Sequence, residues 1–126
     1  MSMETPLGRV RGLGSAKSGL IHWWHQRLTA LALIPLMVWF AVSLIVIASG
    51  TYQEAVDWIK DPIVAGLMIL MLAAGYYHLK LGMQVVIEDY VPIEWVKITS
   101  IVVMTFWCIG LALASIMSVV WIWLGG

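Results

Sequence analysis

Long apolar stretches separated by short polar segments make up most of this chain. Three stretches, at about residues 28–49, 63–86 and 98–124, each reach the roughly 20 apolar residues that a helix needs to cross a bilayer core about 30 Å thick. The pattern predicts an all-α integral membrane protein with three transmembrane helices, at about 24–49, 62–89 and 97–124. Residues 1–22 are then an N-terminal arm, and residues 23–126 form the membrane domain.

Prolines mark the ends of the predicted helices. Asp61 followed by Pro62 predicts an N-cap and a first helical position for the second span, and Pro92 prevents that span from continuing into the third. Pro35 inside the first span predicts a kink. The polar segment 51–60 predicts a short interfacial helix.

The composition agrees with a membrane protein, since 62% of the residues are hydrophobic and 11% are charged. Ordinary soluble domains are about 25% charged. The formal net charge is zero, so the chain has no basic field that would attract nucleic acid. We therefore expect contact with membrane lipid and no binding of nucleic acid.

The distribution of basic residues predicts the orientation of the chain. Four of them precede the first span (Arg9, Arg11, Lys17 and Arg27), and none follows the third. The positive-inside rule places the N-terminus in the cytoplasm and the C-terminus on the periplasmic side. We expect a bacterial inner membrane rather than a mitochondrial one, because the arm lacks the Arg- and Ser-rich, amphipathic pattern of a transit peptide.

A histidine inside the second span is the main candidate for chemistry. His78 lies about ten residues, or about 15 Å, from the predicted cytoplasmic end of its helix. Gly75, His78, Gly82 and Asp89 share one helical stripe, so either another helix or a flat macrocycle could approach closely. An imidazole at this depth is a functional hypothesis by default, and neutral imidazole is a common axial ligand of haem iron. A hydrogen bond to a neighbouring helix is the alternative.

The other two histidines precede the first span. His22 and His25 are predicted to lie about 15 Å from His78 in depth on straight helices. A second axial histidine would therefore come from another chain. His22 and His25 could form half of a metal site, but no carboxylate or cysteine lies near them in sequence, so interfacial hydrogen bonding is favoured. Lys80 is rotated by about 200° from His78 and faces elsewhere.

Polar residues collect at the predicted cytoplasmic ends of the first two spans. Asp89 and Tyr90 close the second span, and Arg27 opens the first. A quinone headgroup needs hydrogen-bond donors at its carbonyl oxygens and a supply of protons, which these side chains could provide. Ordinary interface chemistry, with Asp89 and Arg27 as a structural pair, is the alternative.

The spacing around His78 resembles a known pattern. A histidine at 78, a glycine four residues later, and Asp89-Tyr90 at eleven and twelve resemble the second-helix signature of the small, cytochrome b-type membrane anchors of succinate dehydrogenase. The run Arg27-Leu28-Thr29-Ala30 is similar to the Arg-x-Thr-Ala entry to that family's first helix. The similarity covers most of the chain beyond the first dozen residues.

The resemblance implies an anchor subunit of an enzyme complex, without catalytic residues of its own. His78 would be one axial ligand of a b-type haem, and hence an iron ligand, with Gly75 and Gly82 packing beside it. The second histidine would come from the larger cytochrome b anchor subunit. Arg27 would lie near the haem propionates or the quinone pocket, while Tyr90, with Asp89 beside it, would bind ubiquinone. Electrons from succinate would arrive through a flavoprotein subunit and an iron-sulfur subunit.

Two alternatives stay open from the sequence. One is a haem-free, quinone-binding anchor of a fumarate reductase-like complex. The other is a small proton-coupled transporter or assembly protein that uses His78 and Lys80. Coupling to protons would call for a carboxylate inside the membrane, whereas the carboxylates here lie at the helix ends.

Overall fold

A computed structural model describes residues 5–12 and 19–126 of the chain. These residues form five helices: α1 (Pro6–Arg11), α2 (Gly19–Ile47), α3 (Tyr52–Lys60), α4 (Pro62–Tyr90) and α5 (Glu94–Trp123). Helices α2, α4 and α5 are long and apolar enough to cross a membrane, and no strand occurs in the two described ranges. The predicted all-α architecture with three spans is confirmed.

The helix boundaries differ from the prediction mainly at N-termini. Helix α2 begins at Gly19, five residues before the predicted residue 24, and ends at Ile47. Helix α5 begins at Glu94 rather than residue 97. Its acidic first residue is favourable there because a carboxylate near a helix N-terminus interacts with the helix dipole. Both helices therefore extend beyond their apolar stretches through residues that hydropathy alone leaves out.

Local capping explains the short helix and the start of α4. Thr51 and Glu54 form a capping box, in which the Thr51 side chain accepts from the Glu54 amide at 3.3 Å and Glu54 Oε2 accepts from the Thr51 amide at 2.7 Å. Asp61 Oδ1 accepts from the amides of Ile63 and Val64 at 2.8 and 3.1 Å, with Pro62 at the first position of α4. The predicted cap and the predicted helix within 51–60 are confirmed.

Helix α4 packs against both α2 and α5. Tyr76 of α4 and Ser115 of α5 are joined by a hydrogen bond of 3.2 Å between their hydroxyl oxygens, and Trp58 of α3 stacks on Trp39 of α2 with 5.8 Å between ring centroids. The buried residues of the described chain are all apolar: Leu36, Ala65, Met71, Leu81, Cys108 and Val119. Most of the surface of the spans therefore faces outward, toward lipid or other chains.

Candidate functional site

His78 is the centre of a polar cluster between α2 and α4. It lies twelve residues before the last residue of α4, which is about 18 Å along a helix axis. Its Nδ1 is 3.0 Å from Oγ1 of Thr29, and its Nε2 is 3.4 Å from Nε2 of Gln26. The imidazole is half-buried and has a partner from α2 at each ring nitrogen.

The same helical face of α2 carries two buried polar atoms that lack a hydrogen-bond partner among the described residues. Gln26 Oε1 and His22 Nε2 are buried and have no hydrogen-bond partner among the described residues. These two residues lie one helical turn apart on α2, so their side chains share a face. Buried polar atoms are nearly always paired in native proteins, and each unpaired one calls for an explanation such as a bound group. The region beside His78 therefore suits a ligand with polar edges.

The glycines of the stripe around His78 face α2. A Cβ at Gly82 would lie 3.3 Å from Nε2 of Gln26, and a Cβ at Gly75 would lie 3.9 Å from Cδ2 of Leu33. Gly82 in particular lets the Gln26 side chain approach the backbone of α4. Close packing between helices therefore accounts for Gly82, and packing of either glycine against a macrocycle stays a prediction.

The predicted depth of His25 is wrong. Instead of lying about 15 Å from His78, His25 approaches the neighbouring residue of α4, since its Nδ1 is 3.0 Å from the hydroxyl of Tyr77. The register of α2 against α4 sets this depth, and α2 begins six residues before His25, at Gly19. His25 consequently lies more than a turn inside a spanning helix, where it pairs with a residue of α4.

Arg27 does not join Asp89 and Tyr90. Its guanidinium lies over the Trp23 ring, 5.3 Å from the centroid, and the side chain is exposed. Because Gln26 faces Gly82 and the two helices are antiparallel, Asp89 lies level with the start of α2, about 12 Å along the axis from Arg27. Arg27 is thus closer in depth to His78 than to the end of α4.

Asp89 and Tyr90 lie at the end of α4, where their side chains are exposed. Tyr90 is 81% exposed, Asp89 is also exposed, and neither side chain hydrogen-bonds to a described residue. In the preceding turn, Gln84 donates to Glu88 Oε1 at 2.8 Å. The phenol and the carboxylate are therefore available to a ligand or to another subunit.

Lys80 faces away from His78, as its angular position predicts. It lines a groove of about 350 Å³ between α4 and α5, together with Tyr76, Thr105, Cys108 and Ala112. No described carboxylate forms an ion pair with it. Lys80 is therefore separate from the cluster between α2 and α4.

The donor set of the cluster fits a haem ligand on the side of this chain. A ligating histidine coordinates through one ring nitrogen and hydrogen-bonds through the other, and His78 has a hydroxyl at Nδ1 and a long amide contact at Nε2. Within residues 5–12 and 19–126 no group of three His, Cys, Asp or Glu side chains could hold a metal ion. An axial site needs one imidazole from this chain and does not require such a group.

Fold and site together define a small polytopic membrane subunit whose α2–α4 pair carries a histidine-centred polar cluster. A family model described as "Succinate dehydrogenase/Fumarate reductase transmembrane subunit" matches residues 1–112. The chain belongs to this family, as a membrane anchor subunit of the succinate dehydrogenase type. Such an anchor is one subunit of a larger complex, and membership favours the two anchor hypotheses over the transporter.

The relatives support the same assignment. The succinate dehydrogenase hydrophobic membrane anchor subunit of Rickettsia bellii is 32% identical over 111 residues, which cover 88% of this chain and 89% of the relative. Its counterpart in Rickettsia conorii is 30% identical over 87% and 88% of the two chains. The succinate dehydrogenase membrane anchor subunit of Reclinomonas americana is 31% identical over 68% and 73%. No solved structure matches the chain.

Sequence reasoning missed Thr29 and Gln26 as partners of His78. A signal for them exists, because Gln26, Thr29, Leu33 and Leu36 recur at intervals of three, four and three residues, which is one face of a helix. Two polar residues on an otherwise apolar face indicate a polar partner on the neighbouring helix. That face is hard to recognise because Gln26 precedes the apolar stretch, which begins only at about residue 28.

Proposed function

We propose that this anchor subunit shares a b-type haem and a ubiquinone site with a larger cytochrome b anchor subunit. In this assembly, electrons from succinate reach quinone by way of a flavoprotein subunit and an iron-sulfur subunit. The observation that carries the proposal is the position of His78, deep within α4 and held by Thr29 and Gln26 of α2. An imidazole is costly to place at this depth, so a functional role is the expected reason for its presence.

His78 would be the axial ligand that this chain supplies. A bound b-type haem supplies a one-electron redox centre whose potential depends on its ligands and on the surrounding dielectric. Gly75 and Gly82 lie on the same face as His78 and are proposed to pack beside the haem, although the Leu33 and Gln26 side chains of α2 lie next to them in this chain. Arg27, two residues before Thr29, lies at a depth that favours a role at the haem propionates over one beside Tyr90.

The second axial ligand is proposed to come from the partner anchor subunit. His25 is already engaged with Tyr77. His22 lies two turns of α2 away from Thr29, the residue that contacts His78, which is about 10 Å along the axis. A histidine on a spanning helix of the larger anchor subunit would complete the coordination without moving either residue.

Tyr90 and Asp89 are proposed as the contribution of this chain to the quinone site. The Tyr90 phenol can donate a hydrogen bond to a quinone carbonyl oxygen, and the Asp89 carboxylate can hold or relay a proton during reduction. Both side chains are exposed at the end of α4, where a headgroup can lie at the interface while its isoprenoid tail stays in lipid. The excess of basic residues before α2 indicates that this end faces the cytoplasm, in a bacterial inner membrane.

The proposal is tested on the complex purified in mild detergent. Wild type should show a b-type signal in a reduced-minus-oxidised spectrum and succinate-driven quinone reduction. His78→Ala should remove or shift that signal. Lys80→Met is the matched control, since Lys80 lies two residues further along α4 but faces the groove with α5, and it should leave the spectrum unchanged.

Each outcome has a definite meaning. An unchanged spectrum in His78→Ala would place the haem ligand elsewhere. Quinone reduction without a b-type signal in wild type would instead support the haem-free anchor. If an intact complex showed neither a b-type signal nor succinate-driven quinone reduction, the proposed function as a whole would be contradicted.

A further inference from the structure

Thr29 Oγ1 lies 3.0 Å from Nδ1 of the His78 imidazole, which is hydrogen-bonding distance. We propose that Thr29 is a positioning residue, which keeps the proton of His78 on Nδ1, leaves the lone pair of Nε2 available for the iron, and thereby sets the potential of the haem. This inference rests on the proposed function of His78 as an axial ligand. The tautomer itself follows from contacts within this chain and can be tested separately.

The first step concerns the single proton of the Thr29 hydroxyl. Thr29 Oγ1 lies 2.7 Å from the carbonyl oxygen of His25 and 3.1 Å from that of Gln26, both in its own helix. Carbonyl oxygens are acceptors only, and the shortest of the three contacts of Oγ1 is the one to the His25 carbonyl. We place the hydroxyl proton there, since a threonine inside a helix commonly donates to the carbonyl four residues earlier. Thr29 Oγ1 then accepts from His78 Nδ1, 3.0 Å away, and in this arrangement Nδ1 carries the hydrogen.

The second step concerns the other ring nitrogen. In a neutral imidazole with Nδ1 protonated, Nε2 is an acceptor, and it lies 3.4 Å from the amide nitrogen of Gln26, which is a donor. With Nδ1 already protonated, the reverse orientation of the Gln26 amide would put its carbonyl oxygen against Nε2 and require a second ring proton. That would create a cation in the membrane interior, which is costly. The Gln26 contact is thus compatible with the tautomer inferred from Thr29.

The third step concerns the weakness of the Nε2 contact. At 3.4 Å it is beyond the usual range of a N–H donor to its acceptor, and Gln26 Oε1 is buried with no partner among the described residues. The Thr29 contact is shorter and belongs to a fully paired hydroxyl. Of the two ring nitrogens, Nδ1 is held firmly and Nε2 loosely, so Nε2 is the atom that a metal can take.

A hydrogen bond donated by the non-ligating nitrogen changes the ligand electronically as well as sterically. It fixes the ring orientation and raises the basicity of the ligating nitrogen, and loss of such an outer partner typically costs about 10- to 100-fold in metal affinity or activity. A more basic axial ligand stabilises the oxidised iron relative to the reduced iron. Removal of the Thr29 acceptor should therefore raise the haem potential and weaken haem retention by about 10-fold.

The chain offers matched variants for this test. Thr29→Val keeps the size and branching of the side chain but removes the acceptor, and Thr29→Ser restores the hydroxyl without the methyl group. Thr99→Val is the control, because the Thr99 hydroxyl donates to the carbonyl of its own helix at Trp95, 2.8 Å away, with no histidine on its other side. If the effect came only from removing a threonine hydroxyl from a helix, Thr99→Val would show the same effect.

The first measurement is a redox titration of the b-type haem in the purified complex, with the g-values of the oxidised haem recorded by electron paramagnetic resonance. We expect a raised potential and shifted g-values in Thr29→Val, wild-type values in Thr99→Val, and a return toward wild type in Thr29→Ser. Loss of haem in Thr29→Val, with haem content restored in Thr29→Ser, would also support the proposal. Wild-type values in Thr29→Val, or equal defects in Thr29→Val and Thr29→Ser, would overturn the proposal.

The second measurement does not depend on haem. The full chain, labelled with ¹⁵N-histidine and reconstituted without haem, should show for His78 the nitrogen shifts of the Nδ1–H tautomer, assigned by comparison with His78→Ala. Thr29→Val should lose that preference. A dominant Nε2–H signal in wild type would overturn the role of Thr29 even where His78→Ala abolishes the haem. An unchanged haem spectrum in His78→Ala would instead contradict the proposed role of His78 as the haem ligand.

Discussion

Gly82 of α4 and Gln26 of α2 lie so close that a Cβ at position 82 would come within 3.3 Å of the Gln26 amide nitrogen. This distance is tighter than nine in ten real contacts of a Cβ atom. The same amide nitrogen contacts Nε2 of His78. Both the packing of α2 against α4 and the surroundings of His78 therefore depend on position 82 being a glycine, which has no side chain.

Gly82→Ala should force the Gln26 side chain to move and destabilise the α2–α4 pair. Overpacking of a close contact costs about 1–3 kcal/mol, so the free energy of unfolding in mixed micelles should fall by about that amount. Gly66→Ala is the control in the same helix, because a Cβ there meets nothing within 4 Å. Equal stability of the two variants would show that Gln26 moves aside without cost.

Tyr90→Phe should slow quinone reduction while the haem spectrum stays unchanged. The substitution deletes one hydrogen-bond donor and little volume, which corresponds to about a 3- to 10-fold loss in turnover. Succinate-driven quinone reduction by the purified complex measures it. Tyr52→Phe is the matched control, since Tyr52 is equally exposed, at 84%, but stands at the start of α3. Normal turnover in Tyr90→Phe would show that the Tyr90 hydroxyl does not contribute to the quinone site.

The hydrogen bond between Tyr76 and Ser115 should contribute to the packing of α4 against α5. Interhelical hydrogen bonds in membranes are worth about 0.6 kcal/mol on average, so a double-mutant cycle of Tyr76→Phe and Ser115→Ala should give a coupling energy near that value. Ser118 donates to the Ala114 carbonyl of its own helix, and the same cycle with Ser118→Ala should give no coupling. Equal coupling energies in the Ser115 and Ser118 cycles would contradict a specific hydrogen bond between Tyr76 and Ser115.

Asp61 should anchor the start of α4. Loss of an N-cap side chain costs about 1 kcal/mol, so Asp61→Ala should speed amide hydrogen exchange at Ile63 and Val64, whose amides donate to the Asp61 carboxylate. Asp61→Asn keeps a side-chain oxygen and should preserve most of the protection. Similar exchange in all three proteins would show that the first turn is held by other contacts.

Local signals in the sequence were sufficient for much of the fold. The spans follow from length and hydropathy, and the start of α4 follows from Asp61 and Pro62, whose effect acts within one turn. The end of α4 before Pro92 is equally local, because the residue preceding a proline avoids helical geometry. Each of these features depends on neighbours in sequence, and the structure confirms them.

Features that depend on packing were harder to predict. The start of α2 at Gly19 lies in a segment with two histidines, a glutamine and an arginine, which hydropathy does not recognise as part of a span. This segment is helical in contact with α4, where His25 meets Tyr77 and Gln26 meets His78. The register of α2 against α4 decides these pairs, and one sequence carries no direct signal for a register between two helices.

The contacts of His78 with Thr29 and Gln26 have a consequence for the order of assembly. Since both contacts lie within one chain, pairing of α2 with α4 restricts the rotation of the ring without the help of a second polypeptide. Ordering a side chain at the moment of binding costs about 0.5–1.5 kcal/mol, and a preoriented imidazole avoids this entropy loss. If a haem is shared with a partner subunit as proposed, a newly inserted anchor would present an already oriented ligand to that partner.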